Sequence, residues 1–259
     1  MLHSNEYNPT ERFSNRASQY SQARPDYPAD ALDFILKRCA LGNGSKLVDI
    51  GAGTGISTRA FASRGLNVTG VEPNQAMLDE AEKNKDFSEL IQYARGKAEE
   101  TGLPSNSYDA VLCAQAFHWF EPGLALAEFN RLLKPGGWII LIWNERDEKD
   151  LFTKEYGTLL RTLPDTKNVE LNRFNAGAPL LESKIFKQQD KTCFANEQIL
   201  DLEKLIGRAF SASYAPEPGT GEAAAFEERL ARLFRLFQKD GKVVIRYECS
   251  VYTAQKMTG

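Results

Sequence analysis

The chain has 259 residues, 42% of them hydrophobic and 26% charged, with a formal net charge of −3. That length holds one large domain or two small ones, and the composition is that of an ordinary globular protein. The mild acidity excludes a strongly basic nucleic-acid footprint over the whole chain.

The longest strictly apolar run, Trp138–Trp143, falls far short of the ~20 residues that span a bilayer, and the polar N-terminus lacks a signal-peptide core. The expected setting is therefore cytoplasmic, with neither membrane nor nucleic acid as partner. Cys39, Cys113, Cys193 and Cys249 are scattered, with no CxxC pair, which argues against a zinc ribbon or a disulfide scaffold. His3 and His118 are the two histidines, too few for a His-rich metal centre, while that count leaves a carboxylate-based Mg²⁺ site open; the expectation is no metal. The chain has neither a phosphate loop of the G-x-x-x-x-G-K-[ST] type nor a G-x-S-x-G elbow.

In chain order, Phe13, Tyr20 and Tyr27 recur every seven residues in a polar N-terminal stretch, and Arg24-Pro25-Asp26-Tyr27-Pro28 breaks any helix there. Leu32, Ile35, Leu36 and Cys39 then mark an amphipathic helix. An alternation follows: strands are predicted at Lys46–Ile50, Asn67–Val71, Ile91–Ala94, Tyr108–Ala114 and Trp138–Trp143. Helices are predicted around Ala60–Phe61, after an Asn74 cap, and along Ala125, Phe129, Leu132 and Leu133. Lys134-Pro135-Gly136-Gly137 reads as a turn. Strands apolar on both faces, alternating with helices, imply a parallel sheet covered on both sides. Beyond Asn144 the pattern weakens. Residues 145–183 show helical pieces around Phe152–Leu163 and no clear strand, Lys191–Ala195 reads as a strand, Glu197–Ile206 as a helix and Ser211–Gly221 as a loop. Phe226, Leu230, Leu233, Phe234 and Phe237 form a helical stripe, and Val243–Tyr252 alternates as a final strand placed to insert antiparallel.

The informative segment is Val48-Asp49-Ile50-Gly51-Ala52-Gly53-Thr54-Gly55, which ends a predicted strand and opens a helix. Glycines there let the backbone turn tightly and a ligand approach the main chain. A dinucleotide fold would want a third glycine at position 56, where Ile56 stands. It would also set the Asp49 carboxylate against a pyrophosphate. S-adenosylmethionine carries an ammonium and a sulfonium, which that carboxylate favours; the plainer alternative is that Asp49 caps the helix. Glu72, at the end of the second strand and 21 positions after Gly51, is placed to accept both ribose hydroxyls.

Asp49–Gly55, Glu72-Pro73-Asn74, Gly96-Lys97-Ala98-Glu99, Tyr108-Asp109-Ala110-Val111 and Leu133–Gly137 together resemble the class I S-adenosylmethionine-dependent methyltransferases, type 11-like. Phe13, Ala17, Tyr20, Arg24-Pro25, Tyr27-Pro28 and Ala114–Trp119 are similar to the small-molecule branch typified by trans-aconitate methyltransferase. The resemblance implies a Rossmann-like, seven-stranded, mostly parallel sheet with an antiparallel last strand and helices on both faces. It implies S-adenosyl-L-methionine as cofactor and a small-molecule methyl acceptor. The cofactor set it implies is Tyr20, Arg24, Asp49, Gly51, Ala52, Gly53, Glu72, Pro73, Lys97, Ala98, Glu99 and Gln115, with Tyr20 and Arg24 closing over the methionine end. Lys97 stands where that branch often has Asp.

His118 is a candidate general base, or a residue that contacts the acceptor or merely packs in the aromatic cluster. Trp119 and Tyr214 are candidate acceptor contacts, whereas Trp138 and Trp143 read as core. Arg161, Arg173, Arg208 and Arg246 could grip an acidic acceptor, each with surface solvation as the plainer reading. The expected organisation is one domain over 1–259: a cap (1–40), a cofactor-binding core (41–144), a lid (145–221) and a last helix and strand (222–259), as monomer or dimer. The expected activity is methyl transfer to a carboxylate or phenol oxygen. The alternative is a non-catalytic S-adenosylmethionine-binding module or regulator on the same fold.

Overall fold

The structure, a computed structural model, describes residues 23–164, 166–173, 175–212 and 214–258. Phe13, Ala17 and Tyr20, expected in the cap, lie outside them. Helix α1 (Ala29–Arg38) precedes an alternation of β1 (Lys46–Ile50), α2 (Ile56–Ala62), β2 (Asn67–Val71), α3 (Gln75–Lys83), β3 (Ile91–Ala94), β4 (Tyr108–Ala114), a 3₁₀ turn (Phe117–Trp119), α4 (Pro122–Leu132) and β5 (Leu133–Arg146). Then come α5 (Leu151–Leu160), α6 (Thr166–Arg173), α7 (Ala178–Leu181), β6 (Phe186–Leu200), α8 (Leu202–Phe210), α9 (Gly221–Phe237) and β7 (Val243–Lys256). The strand order is β3-β2-β1-β4-β5-β7-β6. Strands β1 to β5 are parallel, and β7 inserts antiparallel to both β5 and β6. The Rossmann-like sheet with its reversed last strand is as expected.

The period-two geometry of each strand splits the core into two layers. Val111, Cys113, Ile139, Leu141 and Trp143 face one layer, closed by Phe117 and by Phe129 of α4. Ala110, Leu112, Trp138, Ile140 and Ile142 face the other, closed by Leu32 and Ile35 of α1 and Phe61 of α2. Trp138 and Trp143 are thus core, as read. Asn74 caps α3, its side-chain oxygen accepting from the Met77 N–H at 3.1 Å.

Three boundaries differ from expectation. Lys134–Gly137 is a bulge inside β5 rather than a turn before it: the pairing with β4 jumps from Leu133 to Trp138, and Gly136 takes φ +79°. Glu197–Leu200 belongs to β6, not to a helix. These residues pair with Val243–Arg246, so β6 and β7 continue as a two-stranded ribbon past Arg146, where β5 ends. Residues 145–221 therefore contribute a 15-residue strand of the sheet as well as helices. A third hydrophobic cluster wraps the ribbon: Phe152, Tyr156 and Leu160 of α5, Leu205 and Ala209 of α8, Phe226 and Leu230 of α9, and Ile245 and Tyr247 of β7. No helix of the described residues is long and apolar enough to cross a membrane.

Candidate cofactor and acceptor site

A cavity of about 460 Å³ opens where the carboxyl ends of β1, β4 and β5 meet the ribbon helices. Parallel sheets place ligands at that end of their strands. Its inner wall is Gly51, Ala52, Gly53 and Thr54 of the β1–α2 loop. Gly51, Gly53 and Gly55 adopt φ of +73°, +55° and +78°, the left-handed region that only glycine enters without strain. A Cβ on Gly51 would lie 2.6 Å from the Ala116 Cβ, whereas one on Gly53 would meet no protein atom within 4 Å and would occupy the open space.

Two carboxylates stand behind this loop. Glu72 accepts from the Gly53 N–H through Oε2 and from the Asn74 N–H through Oε1, both at 3.0 Å. Burial pushes its pKa up, against the pull of those two bonds. Asp49 is fully buried. Its Oδ2 accepts from the Ser57 and Thr58 hydroxyls at 2.7 and 2.8 Å, while its Oδ1 has no partner. Asp49 does not line the cavity; it braces the first turn of α2, and Ser57 stands at the cavity wall in its place.

Burial pushes the Asp49 carboxyl up to about 6 from its ordinary 3.8, with the two hydroxyl bonds pulling the other way. The folded state thus holds this proton between about pH 4 and 6 where the unfolded chain has released it. Stability contributed here falls as pH rises through that window, and the cost is complete above it. Asp49→Asn, which removes the buried charge, should raise the melting temperature at pH 7 and flatten its slope between about pH 4 and 6. Melting curves across that range check this; an unchanged slope would refute it.

The roof is the segment 23–28. Side-chain amides of β5 and β6 hold it: the Asp26 carbonyl accepts from Asn144 Nδ2 (3.2 Å) and Asn196 Nδ2 (2.8 Å), and the Ala23 carbonyl from Gln198 Nε2 (3.0 Å). Arg24 lines the cavity and donates to the Ser211 carbonyl at 3.2 Å, tying the strap to the end of α8. The two segments expected to cover the site are thus in direct contact.

The outer wall is rich in charge. Arg146 pairs with Glu170, and Arg161 with Glu148 (2.7 and 3.0 Å) and Glu170 (3.5 Å). Arg173 and Arg208 complete the wall beside Glu145 and Tyr247. Arg246, the fourth arginine proposed for an acidic acceptor, instead meets Glu197 on the surface at 3.0 Å. Gln115, at φ +57°, lines the cavity as expected and accepts from Arg173 Nη2 at 3.0 Å.

Of the expected site residues, the structure brings Arg24, Gly51, Ala52, Gly53 and Gln115 together around one space, with Asp49 and Glu72 directly behind. Pro73, Lys97, Ala98 and Glu99 do not line that space. Lys97 is exposed, Ala98 packs in the core, and Glu99 accepts from the Glu121 N–H at 2.9 Å. His118, Trp119 and Tyr214 are also absent from its lining. His118 Nδ1 faces the Trp143 indole N–H at 3.5 Å, and its ring lies 4.8 Å from that of Trp119. Burial, with Arg173 and Arg24 nearby, pushes the His118 pKa down to about 3, so the ring is neutral at ordinary pH. This favours packing or positioning over proton abstraction. Asn144, Glu145 and Arg146 went unread as site residues. Their signal was position: they follow the apolar run of β5 directly, at the carboxyl end of a strand.

These features define an α/β domain built to hold an adenosyl cofactor: a left-handed glycine loop, an acid at the end of β2, and an open space that a Gly53 side chain would fill. A family model described as a methyltransferase domain matches residues 48–141. An uncharacterized methyltransferase of Mycobacterium tuberculosis is 39% identical over 148 residues, 57% of this chain and 58% of that protein, so the match spans just over half of the relative. The ubiquinone biosynthesis O-methyltransferase of Pseudomonas aeruginosa is 30% identical over 159 residues, 59% of this chain and 67% of the relative. Phosphoethanolamine N-methyltransferase 2 of Haemonchus contortus, solved with S-adenosyl-L-methionine, shares the fold at a TM-score of 0.51 and 18% identity, covering 98% of this chain and 58% of that one. The chain belongs to the class I S-adenosylmethionine-dependent methyltransferases, and its cofactor is S-adenosyl-L-methionine.

Proposed function

We propose that the protein methylates an oxygen, carboxylate or phenol, of a small-molecule acceptor in the cytoplasm. The observation that carries this reading is continuity: one cavity runs from the glycine loop to a polar, arginine-lined chamber. The relative from P. aeruginosa, an O-methyltransferase by name, supports oxygen as the methylated atom. When bound, S-adenosyl-L-methionine would supply an activated methyl group, transferred to an acceptor oxygen with the sulfur keeping the electron pair of the broken bond.

The chain's residues bind, align and exclude water. The Gly51–Gly53 backbone would hold the cofactor, with Glu72 behind that loop to take its ribose hydroxyls and Arg24 of the strap to take its carboxylate. Holding acceptor and methyl in line supplies up to ~7–11 kcal/mol of the barrier reduction. A carboxylate acceptor needs no base, which agrees with a neutral His118.

The test is a radiolabelled methyl-transfer screen over small acids, phenols and amines. Label in an acid or phenol supports the reading, and label confined to amines overturns it. Cofactor binding with no turnover on any acceptor would leave a binding module or regulator. Among the described residues no three His, Cys, Asp or Glu side chains converge as a metal site would require, and an activated methyl needs no Lewis acid. The rate should therefore be unchanged by chelators; loss restored by Mg²⁺ would refute that.

A further inference from the structure

Four arginines line the outer chamber, and they fall into two pairs. Arg146 and Arg161 are neutralised by Glu148 and Glu170. Arg173 and Arg208 have no carboxylate within ion-pair distance among the described residues. Arg173 Nη2 donates to the Gln115 side chain and to the Asn144 carbonyl (3.2 Å), and its Nε is buried without a partner. Arg208 is 7% exposed and donates through Nε to the Tyr247 hydroxyl at 3.3 Å. Glu145, the acid that adjoins Arg173 on the cavity wall, is engaged by the Ser250 hydroxyl at 3.1 Å instead.

A guanidinium does not give up its proton in a protein. Buried without a counter-ion, it carries a desolvation cost that neutral hydrogen bonds meet only in part. Arg146 and Arg24 add like-charge repulsion at Arg173. Two such groups on the wall of one cavity form half of an ion pair whose other half arrives with a ligand.

We propose that Arg173 and Arg208 are a receptor for a carboxylate of the acceptor, and that this group is a handle rather than the atom methylated. The inference rests on the methyl-transfer reading. Its second part is chemical. An oxyanion gripped by two guanidiniums has its lone pairs engaged and its charge neutralised, which makes it a poor nucleophile. The methylated oxygen is then a second group, reaching from the arginines toward the glycine loop. The acceptor class is a small acid that carries a separate carboxylate or phenol oxygen, such as a dicarboxylic acid or a hydroxybenzoic acid.

The test is calorimetry on the full-length protein saturated with S-adenosylhomocysteine, titrated with acetate, succinate, inorganic phosphate and neutral succinamide. The expected result is binding of the carboxylates and none of succinamide. Arg173→Gln and Arg208→Gln should each weaken carboxylate binding between about 10- and 100-fold while leaving S-adenosylhomocysteine affinity unchanged. A merely structural arginine would move a different readout: Arg173→Gln should leave the melting temperature of the anion-free protein unchanged or higher, because it removes a charge set against Arg146 and Arg24. Should Arg208→Gln fail to fold, its structural role is shown and the receptor is overturned at that residue, with Arg173→Gln deciding the other. Carboxylate binding unaltered in both variants, or no carboxylate binding at all, overturns the proposal. Phosphate binding without carboxylate binding shows a general anion site with no preference for an acid and overturns the proposal. Anion binding that needs both arginines, in a protein that turns over no acceptor, would sink the methyl-transfer reading alone.

Discussion

Replacing Glu72 with alanine should weaken binding of S-adenosylhomocysteine by about 100-fold or more. The side chain spans two elements, accepting from the Gly53 N–H and the Asn74 N–H. It therefore shapes the glycine loop besides its proposed contact with the ribose. Hydrogen bonds to a charged acceptor contribute ~1.5–3 kcal/mol each, and ~1.4 kcal/mol is tenfold in affinity. Loss of a two-point ribose contact thus reaches ~100-fold before any loosening of the loop is counted. Glu72→Gln keeps one oxygen acceptor and should fall between wild type and alanine. Calorimetry decides, and an alanine variant that binds as wild type does would remove Glu72 from the cofactor site.

The second large effect separates two glycines only two residues apart. Gly53→Ala introduces a methyl group that meets no protein atom within 4 Å, at a φ of +55°. Its cost to the fold is the left-handed strain alone, ~1–2 kcal/mol. Its methyl fills the space against the loop where the cofactor's backbone contact belongs, so affinity should fall at least about tenfold with a small change in melting temperature. Gly51→Ala carries the same strain and also drives its Cβ to 2.6 Å from the Ala116 Cβ and 3.1 Å from the Phe120 ring. Neither the new Cβ nor that of Ala116 can rotate away, so the 3₁₀ turn itself must move. With overpacking at ~1–3 kcal/mol, the fold should lose about 2–5 kcal/mol together with cofactor binding. Melting and calorimetry on both variants check the contrast. Equal destabilisation by the two would show that the loop is not formed as described.

The half of the chain that builds the sheet was legible because its physics is local. Strands β1, β4 and β5 are buried on both faces and read as apolar runs, and the glycine loop needs positive φ at fixed positions. Strand β6 was legible only over Lys191–Ala195, a third of its length. It is an edge strand carrying Lys187, Asp190, Lys191 and Glu197, half-exposed or exposed along most of its length, so no apolar run announces it. Only pairing with β7 fixes its register. Arg161, Arg173 and Arg208 were legible as residue types suited to an acid, but their convergence depends on α5, α6 and α8 folding over a ribbon that the local pattern does not reveal. Arg246 has the same chemistry and lies outside, paired with Glu197, which shows how little the residue type alone decides.

The strap over the cavity has a consequence for the order in which the protein becomes competent as it is made. Its Asp26 carbonyl is gripped by amides that follow it in the chain by 118 and 170 residues. At the usual pace of translation the second of these is synthesised roughly 10–30 s after the strap itself. Over that interval β1 to β5, with the glycine loop, can form on the ribosome, while the piece that roofs them has only Asn144 of β5 to fasten to. The nascent chain therefore presents an open cleft, and its roof is finished only when the sheet receives its outer strands. A chain released early, before Asn196, would carry every glycine of the loop and still lack the clasp that shuts it.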